Sequence, residues 1–144
     1  MALVVALAAA LAGGNLGVTT APRHPVAGSP VRVYATGQVG DTGGRLYVFH
    51  NLSRPCADTA SGERRRGRLV HPAMAVDGAF ELRTRFVPHR AGPQWVCSYL
   101  YAITCEAGGT DCGPAVGVPP DAGFSRNRIS VRPPRRASAS RARR

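Results

Sequence analysis

Over residues 79–87 apolar and polar positions alternate one for one. Phe80, Leu82, Thr84 and Phe86 fall on one side, and Glu81, Arg83 and Arg85 on the other. A period of two sends successive side chains to opposite faces of an extended chain, so this stretch predicts a strand with one side buried and one in water. Val31 to Thr36 alternates in the same way and stops at Gly37, while Arg45 to Asn51 is rich in the β-prone residues Tyr47, Val48 and Phe49. Trp95 to Ile103 and Phe124 to Val131 complete the long strands, and Leu16 to Thr20 reads as an edge strand. Arg68 to His71 or Ala73 to Val76 supplies another strand before Asp77-Gly78, which reads as a hairpin turn, and Asp41-Thr42-Gly43-Gly44 marks an earlier turn. Ser53 to Gly67 is polar and is expected to be a mobile loop, and no later segment holds a helical period. The pattern predicts an all-β protein, an antiparallel sandwich of about seven strands.

Four cysteines change that picture by adding covalent ties. Cys56, Cys97, Cys105 and Cys112 are even in number and fit an oxidising compartment better than a metal knuckle, since no C-x-x-C and no H-x₃₋₅-H spacing occurs. Three pairings are open. Cys105 and Cys112 flank a Gly-rich turn and are close by necessity, which favours Cys105–Cys112 together with Cys56–Cys97. With Cys97 facing the sandwich core, Trp95, Tyr99 and Tyr101 face it too.

The two ends of the chain differ from its middle. Residues 2–12 are wholly apolar, end on Ala10-Leu11-Ala12 and are too short to span a bilayer; they fit the apolar region and cleavage site of a secretory signal, although no basic residue precedes them. Residues 1–12 are therefore expected to be a signal peptide, 13–131 the sandwich, and 132–144 a disordered tail with no membrane span once the signal is gone. The tail carries Arg132, Arg135, Arg136, Arg141, Arg143 and Arg144 with no acid, and it has nothing to bury. All 19 basic residues are arginine, and the formal net charge is +11. Abundant Ala, Gly and Pro beside them point to GC-rich coding more than to selection for guanidinium chemistry, so the count alone does not imply nucleic-acid binding. A positive chain still meets polyanions readily, and the tail is the expected contact.

The sequence carries no catalytic constellation of recognisable spacing. The chain has no G-x-S-x-G elbow, H-E-x-x-H, phosphate loop or dinucleotide fingerprint. His24, His50, His71 and His89 are scattered, three of them beside proline, and read as surface or loop residues. No cofactor and no metal site is expected, and the chain reads as a binder rather than an enzyme. Strand parity suggests a candidate face, with Tyr47, Phe49, Val96 and Leu100 pointing outward and Arg126 and Arg128 at its edge. The bland counterpart is that a loop over 106–120 or the N-terminal arm covers it.

Short strands separated by turns, a bridge between strands, and Trp95-x-Cys97 where an aromatic precedes the second cysteine resemble an immunoglobulin-like sandwich over roughly Pro30 to Val131. The Cys56 loop, Gly78-Ala79-Phe80 and Trp95 to Leu100 together resemble small secreted domains of high-GC actinobacteria. A further likeness, in the short loop Cys105 to Cys112 before the last strand, is to neocarzinostatin-type apoproteins. The first resemblance implies an extracellular or cell-envelope interaction domain whose partner is a protein or an envelope polymer. The neocarzinostatin likeness implies instead a small-molecule carrier, with a cleft lined by Trp95, Tyr99 and Phe80.

Overall fold

The computed structural model describes residues 15–52, 54–105 and 112–135. In chain order its elements are β1 (Leu16–Ala21), β2 (Val31–Gln38), β3 (Gly44–Asn51), α1 (Ala60–Arg64), β4 (Arg68–Leu69), β5 (Met74–Val76), β6 (Ala79–Phe86), β7 (Gly92–Ala102), β8 (Thr104–Cys105), β9 (Cys112–Gly113) and β10 (Gly123–Val131). One sheet runs β1-β2-β6 and the other β10-β7-β3-β4, with β5 also on β3; β8 and β9 form a separate ribbon. Every strand pairing is antiparallel. The result is an all-β antiparallel sandwich, as the alternation predicts, tied by the two disulfides that the cysteine spacing favours.

Both predicted positions for the strand before Gly78 are occupied, by β4 and β5. Asp77-Gly78 is a turn with Gly78 at φ 51°, but it is not a hairpin: β5 belongs to the second sheet and β6 to the first. An Asp-Gly pair supplies the left-handed backbone that a sharp reversal needs, whether or not the flanking strands then pair.

Between the sheets lies an aliphatic core of Val33, Ala35, Leu46, Val48, Val96, Leu100, Ile129 and Val131, with Phe80, Leu82 and Phe86 packed against it from β6. The even positions of β6 therefore face inward, as its alternation predicts. One lateral side is sealed where β1 meets β10. There Asn127 Nδ2 donates to the Val18 carbonyl at 2.9 Å, and Gly123 lies so close to Leu16 that a Cβ would sit 2.6 Å from that side chain. On the opposite side the edges β6 and β4 do not pair.

The five-stranded sheet is buried on its other face as well. Register sets Tyr47 beside Tyr99 and Phe49 beside Cys97, and these pack with Tyr101, Cys56 and Ala60 into a second, aromatic core. The Cys56–Cys97 bridge therefore does not lie between the sheets. It pins the segment after β3 onto the outside of β7. The second pairing is Cys105–Cys112, across the β8–β9 ribbon.

That segment, expected to be a mobile loop, carries α1 and is held at many points. The free N–H groups of Ala60, Ser61 and Gly62 in the first helical turn all find acceptors: Ala60 N–H donates to the Tyr101 hydroxyl (3.0 Å), Ser61 to the Val116 carbonyl (3.0 Å) and Gly62 to Thr59 Oγ1 (2.9 Å), while Glu63 N–H makes the first bond of the helix itself, to the Thr59 carbonyl (3.0 Å). Glu63 is fully buried; its carboxylate accepts from Asn51 Nδ2 and from Ala57 N–H, each at 2.7 Å. The Tyr99 hydroxyl donates to the Ala57 carbonyl at 2.5 Å and lies 3.3 Å from Glu63 Oε2. Burial first, then the neighbouring Glu63 carboxylate, pushes the Tyr99 phenol far above its ordinary value.

The outer face expected from parity is not formed. Tyr47 is 5% exposed, Phe49 1%, and Val96 and Leu100 0%. Tyr47 and Phe49 lie under the α1 segment, and Val96 and Leu100 lie between the sheets. A sheet buried on both faces is apolar at nearly every position, so alternation cannot tell which residues point which way. Arg126 and Arg128 are exposed on β10, with the Arg126 guanidinium 4.9 Å from the centre of the Phe124 ring.

Candidate anion-binding end

Strand direction sorts the charges. β1, β3, β6 and β10 finish at one end of the sandwich, where β2 and β7 begin. Arg23, Arg32, Arg68, Arg85, Arg90 and Arg132 cluster at or just beyond that end, with His50 and His89. Asp41, Asp77 and Asp121 lie at the other end, in the turns after β2, after β5 and before β10. Of the remaining described carboxylates, Glu63 is buried, Glu81 stands in the half of β6 nearer the acidic end, and Asp58 is exposed in the segment before α1. A biased codon supply raises the arginine count, but it does not sort arginines from acids in space.

Two concavities use this basic end. The first, of about 580 Å³, lies on the outer face of the three-stranded sheet; Thr19, Tyr34, Arg32, Arg83 and Arg85 line it, with Arg83 stacked 5.5 Å over the Tyr34 ring. The second, of about 650 Å³, opens on the unsealed side between β6 and β4. Arg66 comes from the lead into β4, Arg68 from β4 itself, Arg85 from β6, and His89 and Arg90 from the loop after it. No carboxylate is among the residues that line it. Arg85 belongs to both concavities, so the basic surface runs continuously around the β6 edge.

His50 forms part of the second cleft, and its environment is built. It is half-buried on the inward side of β3, with its ring 4.3 Å from that of Phe86. Gln94, itself buried, donates through Nε2 to the Arg90 carbonyl and turns Oε1 to His50 Nε2 at 2.6 Å. The amide oxygen accepts, so Nε2 carries the proton of the neutral ring. Burial holds the His50 imidazole below its ordinary value, the Gln94 hydrogen bond opposes this, and the Arg68 charge adds to the lowering. His50 is thus a core-edge residue rather than the surface histidine that its scattered context suggests.

Of the tail arginines, Arg132 and Arg135 are described and exposed, whereas Arg136, Arg141, Arg143 and Arg144 lie outside the described residues, as does the apolar segment 1–12. Arg132 still belongs to the domain: its N–H donates to the Pro25 carbonyl at 2.8 Å, and its carbonyl accepts from Ala27 N–H at 2.9 Å. The chain therefore leaves the sandwich from the basic end. Trp95 and Tyr99 sit on the outer face of the five-stranded sheet and Phe80 between the sheets, so these three do not line one cleft. Among the described residues no three His, Cys, Asp or Glu side chains gather as metal ligands, and no helix is long and apolar enough to cross a membrane.

No family model and no curated protein matches this chain. Among solved structures it is similar to red sea bream transglutaminase, at 18% identity over 81% of this chain with a TM-score of 0.43. It is also similar to the sporulation control protein Spo0M of Bacillus subtilis, at 15% identity over 82% of this chain with a TM-score of 0.37. The chain spans 14% of the first protein and 49% of the second.

Proposed function

We propose that this chain is a non-catalytic extracellular or cell-envelope binding domain that holds an anionic polysaccharide by its basic end, with the arginine tail extending the contact. The observation that carries the reading is the cluster of arginines at one end of the sandwich, while Asp41, Asp77 and Asp121, with Arg45 beside them, lie at the other. Two disulfides fit an oxidising compartment, where the abundant polyanions are polysaccharides. Among the described residues the large apolar side chains left exposed, Leu52, Val87 and Val118, are aliphatic, and Tyr34, the aromatic ring in the first concavity, already carries the Arg83 guanidinium over its face, so the arginines and not stacked rings dominate this surface. Recognition by charge, with the polymer backbone lying along the groove around β6, is the chemistry this surface offers.

The test is binding of the full chain to a sulfated dextran across a salt series, beside a variant in which Arg135, Arg136, Arg141, Arg143 and Arg144 are all changed to Gln. Affinity should fall steeply with salt, by about 10³-fold or more between 50 and 200 mM if six or more charges are engaged. The tail variant should bind more weakly but still saturably. Loss of all binding in that variant, no binding at low salt, or tighter binding to single-stranded DNA of equal charge density would each overturn the reading.

A further inference from the structure

The cleft between β6 and β4 differs from the rest of the basic end in having walls and a floor. Arg66 and Arg68 stand on one side and Arg85 and Arg90 on the other, over a floor that includes His50. Arg66 is tethered, its guanidinium reaching the Pro55 carbonyl at 3.4 Å. The Arg90 backbone is fixed through Gln94, and the ring contact with Phe86 holds His50 beside both walls. Four arginines line one cavity, their like charges repel, and no carboxylate among the lining residues neutralises them. Guanidinium forks bind two oxygens at a time, so arginines on two walls match a group with three or more oxygens better than a planar carboxylate with two.

We propose that this cleft is a discrete site for a tetrahedral oxyanion ester, a sulfate or phosphate monoester carried on the anionic chain, held between Arg66 and Arg68 on one wall and Arg85 and Arg90 on the other. The proposal rests on the anionic-polymer reading and adds the group that is recognised. A ligand here also acts on His50. Facing this ring are Arg68 from β4, Arg85 from β6, and His89 and Arg90 from the following loop; Gln94 from β7 is neutral. An anion among them favours the protonated imidazole, so ligand and proton bind with mutual reinforcement.

Two arms separate the sources of the oxyanion and the two readings. The full chain is titrated with inorganic sulfate and, separately, inorganic phosphate, while the His50 ring resonances are followed by NMR. It is then titrated with dextran sulfate, dextran phosphate and carboxymethyl dextran, beside the variants Arg68→Gln/Arg85→Gln and Arg23→Gln/Arg132→Gln. Each variant removes two exposed charges from the basic end, and melting curves check that both fold. The expected result is a saturable shift and a raised His50 pKa with one or both inorganic ions; whichever acts names the source. The cleft variant should lose about tenfold or more in affinity for the matching dextran, as expected for two charge-assisted contacts, and clearly more than the other variant. Equal losses in the two variants, or tightest binding to carboxymethyl dextran, would overturn the site while leaving the basic end as the binding surface. No binding of any polymer at low salt would overturn the broader reading instead. The ion titrations on the unaltered chain stand whether or not a variant folds, and the absence of a saturable His50 shift with either ion sinks the proposal.

Discussion

The two faces of the five-stranded sheet are both buried, yet they are held by different forces. The inner face packs aliphatic side chains of β3, β7 and β10 against the opposite sheet, and apart from its end at His50 and Gln94 it relies on shape and apolar area. The outer face is aromatic and polar together: Tyr47, Phe49, Tyr99 and Tyr101 lie beneath a short helix that is tied down by one disulfide, a buried carboxylate and two phenol hydroxyls. A two-sheet core forms wherever strands find each other. A five-residue helix has too little apolar surface to dock unaided, so directional bonds and a covalent staple do what area cannot.

The largest effect should come from removing the staple. Changing Cys56 and Cys97 both to Ala should lower stability by about 4 kcal/mol in the loop-entropy account, measured by urea unfolding. The single tryptophan, Trp95, packs against the outer core, so its fluorescence reports that face. The contrast sharpens if hydrogen exchange in residues 54–67 rises in this variant before that of β2 and β6. It breaks if both regions loosen together.

Tyr99→Phe comes next, at about 2 kcal/mol destabilising, because it leaves the Ala57 carbonyl without its phenol donor in a buried site. Double-mutant cycles with Glu63→Gln should show coupling, since both side chains hold Ala57.

On the inner face, His50 should give a modest pH dependence. Its folded value lies below the unfolded one, so stability is full above about pH 6.5 and declines as pH falls from there toward the folded value, while the unfolded chain takes up the proton first. In His50→Gln that part of the pH profile should vanish.

Ser98→Ala is the smallest change and should be neutral or stabilising by up to about 1 kcal/mol. Ser98 Oγ is buried with no hydrogen-bond partner, and Ala removes the unsatisfied hydroxyl at little loss of volume. A clear loss of stability would mean that the inner face is not governed by packing alone.

This difference also explains what could be read from the chain beforehand. β6 was legible in full, because one of its faces meets water and its alternation is clean. β3 and β7 were legible as strands, but the direction of their side chains was not. Both faces of these strands are buried, and only the pairing of Tyr47 with Tyr99 and Phe49 with Cys97 assigns Val96 and Leu100 to the opposite side. The α1 segment was missed because nothing in its own periodicity makes a helix; Thr59 as a cap was a local signal, but the remaining ties come from β3, β7 and the 114–118 segment. The basic end was invisible for another reason. Composition counts arginines, and only the direction of the strands shows that Arg32, Arg68, Arg85 and Arg90 share an end that Asp41, Asp77 and Asp121 avoid.

The unsealed side of the sandwich has one more property. β6 and β4 end their sheets with backbone groups that no neighbouring strand takes up, the kind of border along which β-proteins stack into aggregates. Arg83 and Arg85 stand along one of these borders and Arg68 on the other, so two copies that approach edge to edge bring like charges together. Under the proposed function, the arginines that would hold an anionic polymer are the same ones that oppose edge-to-edge contact between copies. A polyanion that neutralises them removes this repulsion, and copies gathered along one polymer would lie with bare strand edges side by side.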